Sequence, residues 1–259
     1  MIPLRDENPT LRLPIVTIGL IAACVLAWLF LQGAGTAPRL HASVCELGAI
    51  AGELTGRAHP QTIEMGPGIA CVVGTGPRWH TLVTSMFMHG SWFHLLGNMW
   101  FLWIFGNNVE DSMGRVRFLV FYLLCGVAAA AAQILSDPSS PIPMVGASGA
   151  IGGVMGAYVV LYPRVMVLLL LPLGFFITTV RLPAFVMLGY WFLLQVLGGV
   201  PALAGSGGGV AFWAHVGGFL AGVALIWVFR DKELVEKHKA MSVQWHEPPP
   251  ARPPMRYWR

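Results

Sequence analysis

The sequence predicts an all-α polytopic membrane protein, a bundle of six transmembrane helices. The composition is 56% hydrophobic against 11% charged, with a mean hydropathy of +0.66, too apolar to cover a water-soluble surface of this size. The apolar residues gather into runs of membrane-spanning length, separated by charges, Pro and Gly. Drawing six of those runs as spans puts most Lys and Arg residues on one side of the bilayer.

The first run, Leu13 to Leu31, is about long enough to cross a hydrocarbon core of roughly 30 Å as a helix. Only Gln32-Gly33-Ala34-Gly35 follows it, with no small-residue cleavage site, so it reads as an uncleaved first span. Further spans fit at about 88–107, 117–135, 148–162, 183–199 and 210–229. Val165 to Val180 is apolar enough for a seventh, yet it contains Pro172 and Gly174 and is bracketed by Arg164 and Arg181.

Charge decides between the two counts. With six helices, both termini, the 107–117 turn and the 163–182 loop share a side holding Arg5, Arg12, Arg115, Arg117, Arg164, Arg181, Arg230, Lys232, Lys237 and Lys239. The other side holds Arg39, Arg57 and Arg78 in the long 33–79 loop, beside Glu46, Glu53 and Glu64. The positive-inside rule then makes both termini cytoplasmic. A seventh span would expel the basic 230–239 run, so 165–180 reads as interfacial or re-entrant.

The chain therefore divides into a cytoplasmic N-terminal segment, 1–13, a membrane domain, 14–229, and a basic, Pro-rich cytoplasmic tail, 230–259. The end of that tail, Pro248-Pro249-Pro250-Ala251-Arg252-Pro253-Pro254, lacks apolar periodicity and reads as disordered. The net charge of +4 is accounted for by cytoplasmic anchoring residues beside anionic head groups, with nothing pointing to nucleic acid. Cys24 and Cys125 fall in spans, whereas Cys45 and Cys71 share the outer loop, where an oxidising face permits a disulfide. His41, His59 and His80 lack zinc-site spacing, and no cofactor or metal is expected.

Polar groups inside the spans carry the chemistry. In the fourth span Ser148, Gly152 and Gly156 recur every four residues, heading a stripe bare of side chains. In the sixth, His215, Gly218 and Gly222 form a second bare stripe. Such faces pack backbone against backbone, so Gly149, Gly152, Gly156, Gly218 and Gly222 are the expected close-packing positions. Both helices begin on the outer side, so Ser148 and His215 can lie at similar depth.

A serine hydroxyl is a poor nucleophile until a base takes its proton, and a neutral imidazole within reach supplies that base. Neither span holds an Asp or Glu to orient the histidine, so this is a dyad. His94 and Asn98 lie four apart on one face of the second span and can aim N–H donors at one point, where the backbone N–H of Ser148 adds another. His89 lies off that face.

With those residues in place, the chain resembles the rhomboid family of intramembrane serine proteases, of the bacterial type with a six-helix core. It carries the family's Gly-x-Ser-Gly at 146–149, His-x4-His-x3-Asn at 89–98 and Ala-His-x2-Gly-x3-Gly at 214–222, and the likeness covers about 14–229. The resemblance implies a rhomboid-like bundle, with Ser148 as nucleophile, His215 as general base, and an oxyanion hole of His94, Asn98 and the Ser148 backbone. It also implies that 33–79 inserts laterally, that the fifth helix and the loop after it gate entry, and that the membrane is a bacterial inner membrane with the site open to the extracytoplasmic side. Partners are then the bilayer and transmembrane substrates with helix-weakening residues near their outer ends, since local unwinding must precede attack. The Gly205-Ser206-Gly207-Gly208-Gly209 loop beside the gate is read as mobile.

Glu110 and Asp111 resemble a family feature and are expected to fix the turn before Arg115 and Arg117. Two positions depart from common family patterns. Gly152 is often aromatic in relatives, so support for His215 must come from elsewhere, with Trp213 and Phe212 as candidates; Trp79 is followed by His80 where many have Arg, which questions how the outer loop is anchored.

Among other readings, an inactive rhomboid-like protein that binds transmembrane clients is disfavoured because serine and histidine are both present. A histidine proton relay for transport predicts ionisable residues through the whole membrane depth. A lipase elbow needs a preceding strand.

Overall fold

The computed structural model describes residues 1–246 apart from 67, 75, 175 and 204–209. The chain opens on strand β1 (Ile2–Asp6) and enters helix α1 (Ile15–Leu26), which continues through a π-helical turn over Ala27–Leu31. The segment 33–79 follows as α2 (Ala37–Leu47), β2 (Ala49–Ile50), α3 (Ala51–Leu54) and the hairpin β3 (Gln61–Gly66) and β4 (Ile69–Val73). A short α4 (Thr81–Thr84) leads into α5 (Trp92–Met113) and α6 (Arg115–Ser136), then β5 (Pro143–Met144) and α7 (Ser148–Leu161). The hairpin β6 (Met166–Leu173) and β7 (Phe176–Pro183) precedes α8 (Ala184–Leu203), α9 (Phe212–Phe229) and α10 (Lys232–His246).

Three of these helices are long and apolar enough to cross a membrane, over Arg115–Ser136, Ala184–Pro201 and Phe212–Phe229. Ile15–Leu31 and Ser148–Leu161 are apolar but shorter. Helix α5 matches α6 at 22 residues yet carries Asn107, Asn108, Glu110 and Asp111, which lower its hydropathy. Helix α7 is central and buried along nearly its whole length, with α5, α6, α8 and α9 packed around it. Phe105, Phe118, Phe121, Tyr122 and Tyr158 fill the core beside it, all without exposed surface.

The segment between α7 and α8 is a β-hairpin. Pro172 lacks a donor, Gly174 turns the chain at a φ of +62°, and the β-branched run Ile177 to Val180 favours extended backbone. Strand β1 pairs antiparallel with β6, Ile2 opposite Leu170 and Asp6 opposite Val167, giving the order β1-β6-β7. The N-terminal segment is thereby held to the end of the bundle where α7 finishes.

Buried polar groups tie the elements at that end. The expected role of Glu110 and Asp111 is corrected here, because their partners lie on the N-terminal segment and α1. Glu110 accepts from the backbone N–H groups of Val16 and Thr17 and from the Thr17 hydroxyl, at 3.1, 2.8 and 2.8 Å. It thus caps a helix whose own N-cap, Pro14, supplies no side-chain acceptor. Asp111 accepts from Leu11 N–H at 2.7 Å and pairs with Arg12 at 3.3 Å, whereas Arg117 pairs with Asp231. Helix α10 docks on the same layer through Val235 and His238, whose ring meets Tyr162 with centroids 4.8 Å apart. The Pro-rich stretch 248–254, read as disordered, lies outside the described residues.

The segment between α1 and α5 is cross-linked by a disulfide between Cys45 of α2 and Cys71 of β4, with Cα atoms 5.6 Å apart and a sequence separation of 26. Closing a loop of that size restricts the unfolded chain by about 3–4 kcal/mol in the chain-entropy account. Arg78, next to Trp79, supplies the anchor: it pairs with the buried carboxylate of Glu53 at 2.7 Å and donates to the carbonyls of Cys45 and Glu46. Strand β2 pairs with β5, Ala49 opposite Met144, so the 33–79 segment is fastened to the chain just before Ser148.

Asp6 makes the strand attachment pH-sensitive. Its carboxylate accepts from the Tyr158 hydroxyl at 2.5 Å, and burial raises its pKa from 3.8 to about 7, partly offset by that bond. The folded chain holds this proton to a higher pH than the unfolded chain, so the contribution to stability is full below about pH 4 and is lost as pH rises through about 7. Thermal unfolding in detergent at pH 5 and pH 8 should show a fall in midpoint for the wild type that is reduced in Asp6→Asn.

Candidate active site

The site is built on the seam between α7 and α9. A Cβ on Gly218 would overlap the carbonyl of Gly149, one on Gly222 that of Gly153, and one on Gly156 that of Phe219. At Gly152 a Cβ would lie 3.1 Å from the His215 carbonyl, and at Gly149 2.6 Å from the Ala129 methyl. The five glycines singled out from the sequence therefore all lie where backbones or small side chains approach closely. Only hydrogen at these positions permits that approach.

Along this seam Ser148 begins α7 and His215 lies in the first turn of α9, with Ser148 Oγ and His215 Nε2 2.7 Å apart. Gln133, near the end of α6, accepts from the Ala214 backbone N–H at 3.2 Å and steadies the start of α9. The aromatic support for His215 comes from α8. Trp191 places its ring 5.9 Å from the imidazole, while a Cβ at Gly152 would lie 3.8 Å from the same indole. The candidates Trp213 and Phe212 instead tie α9 to α8: Trp213 Nε1–H donates to the Gly199 carbonyl at 3.1 Å, and Phe212 packs over Gly198.

Helix α5 supplies the third wall. Ser91 caps it, accepting from the His94 backbone N–H at 3.1 Å. The His94 ring accepts at Nδ1 from the Gly90 backbone N–H at 3.3 Å, which leaves the proton of a neutral imidazole on Nε2. That nitrogen faces Gly146: a Cβ there would lie 2.7 Å from His94 Nε2 and 3.6 Å from Ser148 Oγ. Gly146 also has a φ of +128°, so this position excludes side chains on two grounds. Asn98 is buried, and its Nδ2 has no protein partner among the described residues.

His94, Asn98, Ser148, His215, Trp191 and Gln133 line one cavity of about 590 Å³. His89 is fully buried behind it, edge-on to His94 with centroids 5.2 Å apart. Its backbone is clamped by the Gln32 amide, which donates to the His89 carbonyl at 2.7 Å and accepts from its N–H at 2.8 Å. The glycine-rich 205–209 loop lies outside the described residues.

The Rhomboid domain family matches residues 76–232, which include α5 to α9 and with them His94, Asn98, Ser148 and His215. This chain belongs to the rhomboid family.

Relatives of this rhomboid come from several compartments. It is 31% identical over 166 residues to Rhomboid-like protein 11, chloroplastic, of Arabidopsis thaliana, covering 59% of this chain and 53% of that one. It is 35% identical over 150 residues to Rhomboid protease GluP of Bacillus subtilis, covering 57% and 26%. To the human Presenilin-associated rhomboid-like protein, mitochondrial, it is 30% identical over 174 residues, covering 64% and 42%. The chain thus spans a quarter to about a half of the length of these curated relatives. Its spanning helices and its family make it an integral membrane protein.

Sequence reasoning missed four residues of this rhomboid site: Gln32, Gln133, Trp191 and Gln195, the last lying 2.8 Å from His215 Nδ1. A signal existed for Gln195, since it is the one amide or charged side chain in the apolar run 184–199.

The seam gives a paired test. Gly222→Ala should lower stability by at least about 2 kcal/mol, as overpacking in a closed interface does. Gly189→Ala, on α8 with nothing within 4 Å of its added Cβ, should leave the unfolding midpoint unchanged or raised.

Proposed function

We propose that this rhomboid is an intramembrane serine endopeptidase that cleaves transmembrane segments of other membrane proteins. The observation that carries the reading is the 2.7 Å approach of Ser148 Oγ to His215 Nε2, opposite the donors of α5. His215 takes the proton from Ser148 as its oxygen attacks the scissile carbonyl. The oxyanion receives hydrogen bonds from the Ser148 backbone N–H, His94 Nε2–H and Asn98 Nδ2–H. Collapse breaks the C–N bond, with His215 returning the proton to the leaving amine, and water then hydrolyses the acyl-enzyme by the same relay.

Depth supports an intramembrane location for this chemistry. The 14 residues of α7 rise about 21 Å, short of the roughly 30 Å of a hydrocarbon core, so Ser148 lies below a membrane surface when Leu161 is near the other. In this reading α1, α5, α6, α7, α8 and α9 are six spans of a membrane domain over 14–229, with 1–13 and 230–259 cytoplasmic. The hairpin of β6 and β7 then rests at the cytoplasmic interface, bracketed by Arg164 and Arg181. The Cys45–Cys71 bridge supports an oxidising, extracytoplasmic outer segment, and a bacterial inner membrane satisfies these requirements.

The test compares wild type and Ser148→Ala, in detergent or liposomes, on a fusion protein bearing a helix-weakened transmembrane segment. Cleavage by the wild type that falls at least about a thousandfold in the variant is expected. Cleavage that survives the substitution would assign the nucleophile elsewhere; binding of the fusion protein without cleavage would favour a client-binding rhomboid.

A further inference from the structure

The orientation of His215 depends on a residue outside the proposed dyad. Its Nε2 faces Ser148 Oγ at 2.7 Å, and its Nδ1 lies 2.8 Å from Oε1 of Gln195 on α8. No Asp or Glu occurs in α7, α8 or α9, so the position a carboxylate takes in a serine–histidine–acid triad is held by a neutral amide. Resting on the protease reading, we propose that Gln195 is a positioning residue whose side-chain carbonyl accepts from His215 Nδ1–H and so presents the bare Nε2 to the Ser148 hydroxyl.

Hydrogen-bond roles around the amide support that assignment. Gln195 Nε2 lies 3.2 Å from the Trp191 carbonyl, a group that only accepts. The amide NH2 must therefore face Trp191, which turns Oε1 toward the histidine. An oxygen 2.8 Å from Nδ1 requires the proton of a neutral imidazole to sit on Nδ1. The other tautomer would set two lone pairs against each other there and would leave Nε2 a donor, unable to take the serine proton.

Trp191 and Gln195 are one turn apart on α8, so a single helix holds both the plane and the tautomer of the ring. The contact contributes most in the transition state. When Nε2 takes the serine proton, Nδ1–H becomes part of an imidazolium and its bond to Oε1 becomes charge-assisted. An interaction that strengthens on going to the transition state appears in kcat rather than in KM.

The experiment measures kcat, KM and the unfolding midpoint of the full chain in detergent, on the helix-weakened fusion protein, for wild type, Gln195→Met and Gln195→Glu. Methionine keeps the length and bulk without the acceptor, while glutamate keeps an oxygen. Gln195→Met should lower kcat about 10- to 100-fold, with KM within about threefold and the midpoint unchanged. Gln195→Glu should regain most of the lost kcat. The proposal is overturned if Gln195→Met keeps kcat within about threefold of wild type, if the loss lies in KM alone, or if both variants lose kcat equally. Failure of the protease reading is recorded separately, by a wild type that does not cleave or a Ser148→Ala variant that does.

Discussion

Hydrogen in place of side chains along the α7–α9 seam is the constraint on which the rest depends. Gly218 and Gly222 lie against the carbonyls of Gly149 and Gly153, and Gly152 and Gly156 against those of His215 and Phe219, so closely that a methyl group at several of these positions would enter a neighbouring carbonyl. Two backbones in that relation have little freedom to slide or rotate, since any shift meets hard repulsion on both sides. Ser148 and His215 head the two stripes, so their 2.7 Å separation follows from backbone contact rather than from long, adjustable side chains. The remaining walls are fixed from other helices, by Ser91 capping α5, Gln133 holding the start of α9 and Trp191 filling the space beside Gly152.

At the far end of the bundle a second set of interactions holds α5 in place. Glu110 caps α1, Asp111 binds the chain before it, and α10 seats His238 beside Asn108, so the N-terminal segment and α10 both fold back on the last turns of α5. Such charged hydrogen bonds, shielded from water, contribute roughly 1.5–3 kcal/mol each, and leaving one partner alone costs more than the pair contributes. His94 and Asn98 lie on the other half of that helix, so rigidity gained there is transmitted along a continuous rod to the cavity.

The helices and the Ser148–His215 pair were legible because both rest on patterns local to one helix: an apolar run, or small residues at three- and four-residue spacing. What was not legible depends on contacts between distant elements. Residues 165–180 are mostly apolar, and the pairing of β6 with β7 and with the N-terminal strand leaves no periodic mark in the sequence. Residues 232–246 are mostly polar, yet they form α10 because Val235 and His238 find a docking layer made by α5. The Cys45–Cys71 bridge was permitted by composition and required α2 and β4 to bring the two Cα atoms within 5.6 Å. Support for His215 was sought in its own helix, at Trp213 and Phe212, whereas the rotation of α8 brings Trp191 and Gln195 to the ring from another.

The central claim is that His215 activates Ser148 within the membrane domain. The most direct measurement is intact-protein and peptide mass spectrometry after treatment of the detergent-solubilised chain with a fluorophosphonate, beside His215→Asn. The account predicts one adduct, on Ser148, formed by the wild type and lost or strongly slowed in the variant. A folded wild type that takes no adduct, or an adduct on Ser148 formed equally fast without the imidazole, would contradict it.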